Sequence, residues 1–119
     1  MISRFVVRQN QFQTVVFSDT AEAGMLRSAY LILATGDHDY KGHRVRAMHQ
    51  IEDAAKLLGM NLSGDAKNRQ PQPLSDAKLR EAQGLLQSVL AASDVKSQKR
   101  VTKHITEAID QINIALSIR

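Results

Sequence analysis

Gly36-Asp37-His38-Asp39-Tyr40-Lys41-Gly42-His43-Arg44 is a dense polar junction between two apolar-periodic segments, and its reading decides the fold. It holds two of the four histidines and two of the twelve acidic residues, with a glycine where a helix is due to start. Before it, Met25, Leu26, Ala29, Ile32 and Leu33 recur at three- and four-residue steps and give one apolar helical face. After it, Val45, Met48, Ile51, Ala55 and Leu58 do the same. So short a connection forces the two helices antiparallel, which predicts a helical hairpin.

The expected boundaries follow from capping chemistry. The first helix opens near Asp19, with Glu22 completing an approximate capping box, and Gly36 ends it in the left-handed conformation. The second runs from about Tyr40 to Leu58, capped by Asp37 or Asp39 and stopped by Gly59. Gly42, in its first turn, lets a neighbouring segment pack close. Arg44 and Glu52 fall inside the apolar arc at 100° per residue, so both call for partners on other helices.

A linker from Met60 to Leu74, with Ser63-Gly64-Asp65 and Pro71-Gln72-Pro73, is long enough to cross the end of a bundle. Ser75 caps a third helix whose stripe is Leu79, Ala82, Leu85, Leu86, Val89 and Leu90. A fourth opens near Ser97 and presents Val101, Ile105, Ala108, Ile109, Ile112, Ala115 and Leu116. Two short-looped hairpins joined by one linker predict an all-α four-helix bundle, up-down-up-down, over residues 19–119. Its expected core includes Leu33, Met48, Ile51, Leu86, Ile105 and Ile112. Leu26-Arg27-Ser28-Ala29 matches Leu79-Arg80-Glu81-Ala82, and His49-x-x-Glu52 matches His104-x-x-Glu107, at slightly different offsets. Similar packing demands produce such patterns without duplication.

Residues 1–18 read as an extended, β-like amino-terminal arm. Phe5, Val6, Val7, Val15, Val16 and Phe17 flank a polar centre with β-branched and aromatic enrichment. A lone ribbon is marginal in water, so two copies are expected to share strand edges across a two-fold axis, giving a homodimer; the competing outcome is an arm that folds back over its own bundle.

At 119 residues the chain is one ordinary domain, and 43% hydrophobic with 24% charged residues is globular composition. Only 4% is aromatic and Trp is absent, so the core is aliphatic. The lack of Cys removes disulfides, thiolate metal sites and cysteine nucleophiles. No apolar run approaches the roughly 18 residues of a membrane span, and the amino terminus lacks an apolar h-region, so cytoplasmic residence is the expectation.

The junction supplies the candidate ligand site: Asp37, His38, Asp39, Tyr40, His43 and Arg44. His38 and His43 have H-x4-H spacing beside hard carboxylate oxygens, so His38, Asp39 and His43 are the candidate metal ligands. Only Asp39 and His43 share a helical face, however, and aspartate is a preferred cap for reasons unrelated to metals. Lys41, His43, Arg44 and Arg46 at a helix start favour a small anion, but Asp37 and Asp39 compete for the same amides. A di-metal bundle centre needs Glu-x-x-His motifs and further inward carboxylates, whereas this chain has the order reversed. No nucleophile elbow, Walker loop or dinucleotide fingerprint occurs. A net charge of +4 raises nucleic acid as a partner, and Lys96, Lys99, Arg100 and Lys103 form the local basic cluster that would carry it.

The segment Asp37-His38-Asp39-Tyr40-Lys41-Gly42-His43-Arg44-Val45-Arg46-Ala47-Met48 resembles a pattern in small uncharacterised bacterial helical proteins. The resemblance covers the first hairpin and implies a self-contained helical domain with no activity attached. The sequence thus predicts a non-enzymatic interaction or scaffolding module that self-associates and needs no cofactor. Binding of a divalent metal or small anion at Asp37 to His43, and weak nucleic-acid binding, are the alternatives.

Overall fold

The structure, a computed structural model, describes residues 17, 20–64 and 69–118. It is all-helical, with helix over 75% of the described residues and no strand among them. Five helices follow in order: α1 Ala21–Ala34, α2 His43–Leu57, α3 Asp76–Ala91, the one-turn α4 Ser93–Lys96, and α5 Lys99–Ser117. None is long and apolar enough to cross a membrane. The expected arm lies outside the described residues except for Phe17, which is half-buried against the core.

Thr20, not Asp19, caps α1. Its Oγ1 accepts from the Ala23 N–H at 3.2 Å and donates to Phe17 O at 2.6 Å, which fixes the entry of the chain. Ser75 caps α3 as expected, accepting from the Lys78 N–H at 3.3 Å. Gly59, at φ 83°, ends α2 with Met60 N–H on Ala55 O and Gly59 N–H on Lys56 O, and Met60 is buried beyond the turn.

The first junction differs from its sequence reading in three ways. Gly36 is not left-handed. Its place is set by space, because a Cβ there would sit 2.6 Å from Leu74 Cδ2 and 3.2 Å from Leu33 O. Asp39 makes no side-chain cap, and α2 starts at His43, after a 3-10 turn over Tyr40–Gly42. That turn is left-handed throughout, at φ 50° for Tyr40, 56° for Lys41 and 86° for Gly42. Nothing lies within 4 Å of a Cβ built on Gly42, so its backbone angle, not close packing, requires glycine.

Packing is most extensive between α2 and α5, then between α1 and α3, with α1–α2 and α3–α5 contacts inside each hairpin. Leu33, Ile51, Leu86 and Ile105 are fully buried and Ile112 is 1% exposed, while Met48 packs on the edge of the core. Cross-helix bonds fix the directions. Leu33 meets Arg44 while Tyr30 meets Glu52, so α1 and α2 are antiparallel. His43 meets Gln111 while Gln50 meets His104, so α2 and α5 are antiparallel too. The segment entering α3 lies on the carboxyl end of α1, where Gln72 N–H bonds Thr35 O at 2.6 Å and Gly36 and Gln72 form a parallel bridge. The order of directions is therefore up-down-down-up, not the expected up-down-up-down. The reason lies in where the linker ends: Gln70, Gln72 and Pro73 lie beside the carboxyl-terminal half of α1, so α3 starts at the end of the molecule where α2 also starts.

Candidate functional site

The polar junction is a brace between α1, α2 and the linker. Asp37 donates its backbone N–H to Gln72 O at 3.0 Å and accepts the Leu74 N–H on its carboxylate at 2.9 Å. Tyr40, 9% exposed, directs its hydroxyl to Leu74 O at 3.4 Å. Burial, reinforced by the negative charges of Asp76 and Asp37, holds the Tyr40 phenol above its usual pKa. His38 is exposed and meets the Tyr40 ring edge-on at 4.7 Å.

Arg44 reaches back to α1. Nη1 donates to Leu33 O at 2.9 Å, and Nη2 lies 3.9 Å from the Asp39 carboxylate. The last turn of α1 has no basic residue of its own, so Arg44 supplies the cation that its carboxyl-terminal dipole favours. Arg44 Nε is buried without a partner, a cost that the guanidinium's other bonds offset.

His43 turns to α5, where Nδ1 lies 2.6 Å from Gln111 Oε1. Arg46 Nη1 lies 3.4 Å from the same nitrogen, on the exposed side of the ring. The same chemistry recurs one heptad along: His104 Nδ1 meets Gln50 Oε1 at 2.7 Å. Glu52, the other charge in the apolar arc, accepts from the Tyr30 hydroxyl at 2.5 Å and contacts His49 Nδ1 at 3.2 Å. In the second hairpin Gln83 Nε2 donates to Asn113 Oδ1 at 2.7 Å. The sequence reading missed Gln50, Gln83, Gln111 and Asn113. Their signal was their place at the margins of the apolar stripes, where a neutral amide can bridge two helices.

Beside the brace lies an open cleft of about 750 Å³, floored by Leu31, Ile32 and Pro73 and rimmed by Arg69, Lys78 and Glu81. Its wall is the Gln70–Pro73 stretch that the junction holds against α1. Lys78 Nζ is 3.4 Å from the Glu81 carboxylate on the same rim.

The candidate residues therefore divide. Asp37, Tyr40, Arg44 and Asp39 come together around the linker and α1, while His43 faces α5 and His38 faces outward. Among the described residues no three His, Asp or Glu side chains converge as a metal group. Lys96, Lys99, Arg100 and Lys103 are all exposed around the α4–α5 corner, where cations oppose the dipole at the start of α5. No protein-family model, curated protein or solved structure matches this chain.

Proposed function

We propose that this protein is a non-enzymatic helical interaction module built as a four-helix bundle. The packed pairs α1–α2, α2–α5, α3–α5 and α1–α3 close a ring, which supports that arrangement. One observation carries the functional reading: the junction's reactive groups are spent on the fold. Asp37 and Tyr40 hold Leu74, Arg44 caps α1, and His43 holds α5. What remains for function is surface. Two copies associate through residues 5 to 17, because Phe5, Val6, Val7, Val15, Val16 and Phe17 make this segment apolar in sequence. Light scattering on the full chain and on a chain starting at Ser18 tests this: a dimer that becomes a monomer on truncation is expected, and equal masses reject it.

A second reading is favoured by the cleft, whose apolar floor and mixed rim of Arg69, Lys78 and Glu81 suit a small amphipathic ligand better than the junction does. Anilinonaphthalene sulfonate is a direct probe. Saturable binding near one per chain, lost in Ile32→Glu at unchanged helix content, is the expected result; equal binding by the variant removes this reading.

A further inference from the structure

The two hairpins share more than packing demands. His43-x3-Ala47-x2-Gln50-Ile51-x2-Ala54 on α2 reappears as His104-x3-Ala108-x2-Gln111-Ile112-x2-Ala115 on α5. Leu26-Arg27-x-Ala29-x3-Leu33 on α1 reappears as Leu79-Arg80-x-Ala82-x3-Leu86 on α3. This register pairs His43 with His104, whereas the sequence reading paired His49 with it. The buried positions agree, since Ala47, Ala108, Ile51, Ala54, Leu26, Leu79, Ala29, Ala82, Leu33 and Leu86 are all fully buried. Packing alone explains repeated Ala, Ile and Leu. It does not require the same half-buried His and Gln, seven residues apart, on both helices.

Those polar residues bond each other reciprocally. His43 of α2 meets Gln111 of α5, and Gln50 of α2 meets His104 of α5. The intra-hairpin bonds correspond as well. Tyr30 reaches Glu52 and Gln83 reaches Asn113, and these four occupy matching places in the two patterns. Residue i meeting j while the equivalent of j meets the equivalent of i is the signature of an isologous interface. The up-down-down-up order is the one that a two-fold axis perpendicular to the helices produces.

We infer that the α1–α2 and α3–α5 hairpins are two copies of one pairing unit, and that the His43, Ala47, Gln50, Ile51 and Ala54 face is built to pair with another copy of itself. Within one chain α5 fills that role. The partner outside the chain that the same face fits is a second copy of this protein, with α2 against the second α2 and α5 against the second α5. The inference deepens the reading of the chain as an interaction module but is independent of the amino-terminal arm.

The chain has no Cys, so a single introduced thiol reports pairing cleanly. Ala47 lies between the two bridging residues of α2, and Ala108 holds the same place on α5. Ala47→Cys, Ala108→Cys and the exposed control Ser88→Cys are each refolded from denaturant as full chains at high concentration with oxidised glutathione. The expected result is that both core-facing variants form disulfide dimers at least tenfold faster than the control, and that these dimers keep the natural helix content and cooperative melting. Crosslinking no faster than the control, or dimers that have lost helix, overturns the inference. The bridge exchange His43→Gln with Gln111→His reads the same face without oligomers. Recovery of the melting temperature lost in His43→Gln alone is expected, and an exchange no better than the single variant counts against equivalent environments. Loss of the dimer on arm truncation concerns the arm alone, so either proposal can fail without the other.

Discussion

The two hairpins carry the same face and different corners. In the first, the step from α1 to α2 is a left-handed turn over Tyr40–Gly42, pinned by Asp37, Tyr40 and Arg44. In the second, the corresponding step contains the one-turn helix α4, held by the fully buried Val95. Tyr40 and Val101 occupy equivalent places and both are buried, yet one sits in left-handed backbone and the other in an ordinary helix. The comparison teaches that interhelical faces are constrained by what they bury, whereas a corner is free to vary provided that it plugs the end of the core. The first corner also braces the linker, which explains its density of polar groups.

The sharpest way to break this comparison is to cut the shared face. Ile51→Ala and Ile112→Ala should each cost about 2–5 kcal/mol, because both side chains are essentially inaccessible and leave cavities. Urea denaturation should give similar losses for the two. A difference above about 2 kcal/mol, set against that same range, would deny their equivalence.

Glycine substitutions separate corner from face. Gly36→Ala should cost about 1–3 kcal/mol through overpacking, since the new Cβ meets Leu74 and the Leu33 carbonyl. Gly84→Ala, in an exposed helical position with nothing within 4 Å, should instead stabilise by about 0.5–1 kcal/mol. Thermal melts that show the same sign for both would refute the assigned environments.

The left-handed turn makes a signed prediction at Lys41 and its equivalent, Thr102. Lys41→Gly should stabilise by about 0.5–1 kcal/mol by relieving a positive φ of 56°. Thr102→Gly, inside α5, should destabilise by about 0.3–0.5 kcal/mol through helix propensity. A loss of stability in Lys41→Gly would mean that the turn is not left-handed in solution.

Tyr40 adds a pH dependence that Val101 cannot have. Its phenol is held neutral, with a folded pKa above the ordinary 10.0. The contribution is therefore complete below about pH 10 and is lost as pH rises through the raised value. Tyr40→Phe should flatten that alkaline limb of the stability curve, and an unchanged limb would assign it to other groups.

The smallest effect is expected at Asp39. As a helix cap it would be worth about 1 kcal/mol. With no cap bond and a carboxylate 64% exposed at 3.9 Å from Arg44, Asp39→Ala should cost under about 0.5 kcal/mol. A loss near that of a cap would restore the capping role.

Much of this molecule was legible in one dimension. Apolar periodicity located the four long helices and five of the six chosen core side chains, because a helix turns at a fixed 100° per residue and must bury one stripe. Gly59 and Ser75 were readable as stop and cap because their chemistry acts within a few residues. The out-of-place charges Arg44 and Glu52 announced a need for partners, though not which ones. The partners themselves, Leu33 O and Tyr30, belong to a neighbouring helix, and their positions follow only from how the helices cross. Tertiary structure alone decided the left-handed turn, the reason for Gly36, the run of the linker and the reciprocal His–Gln bridges. Each of these is held by contacts between segments far apart in sequence, as the turn is by Leu74, and local propensity carries no information about where a distant segment will lie.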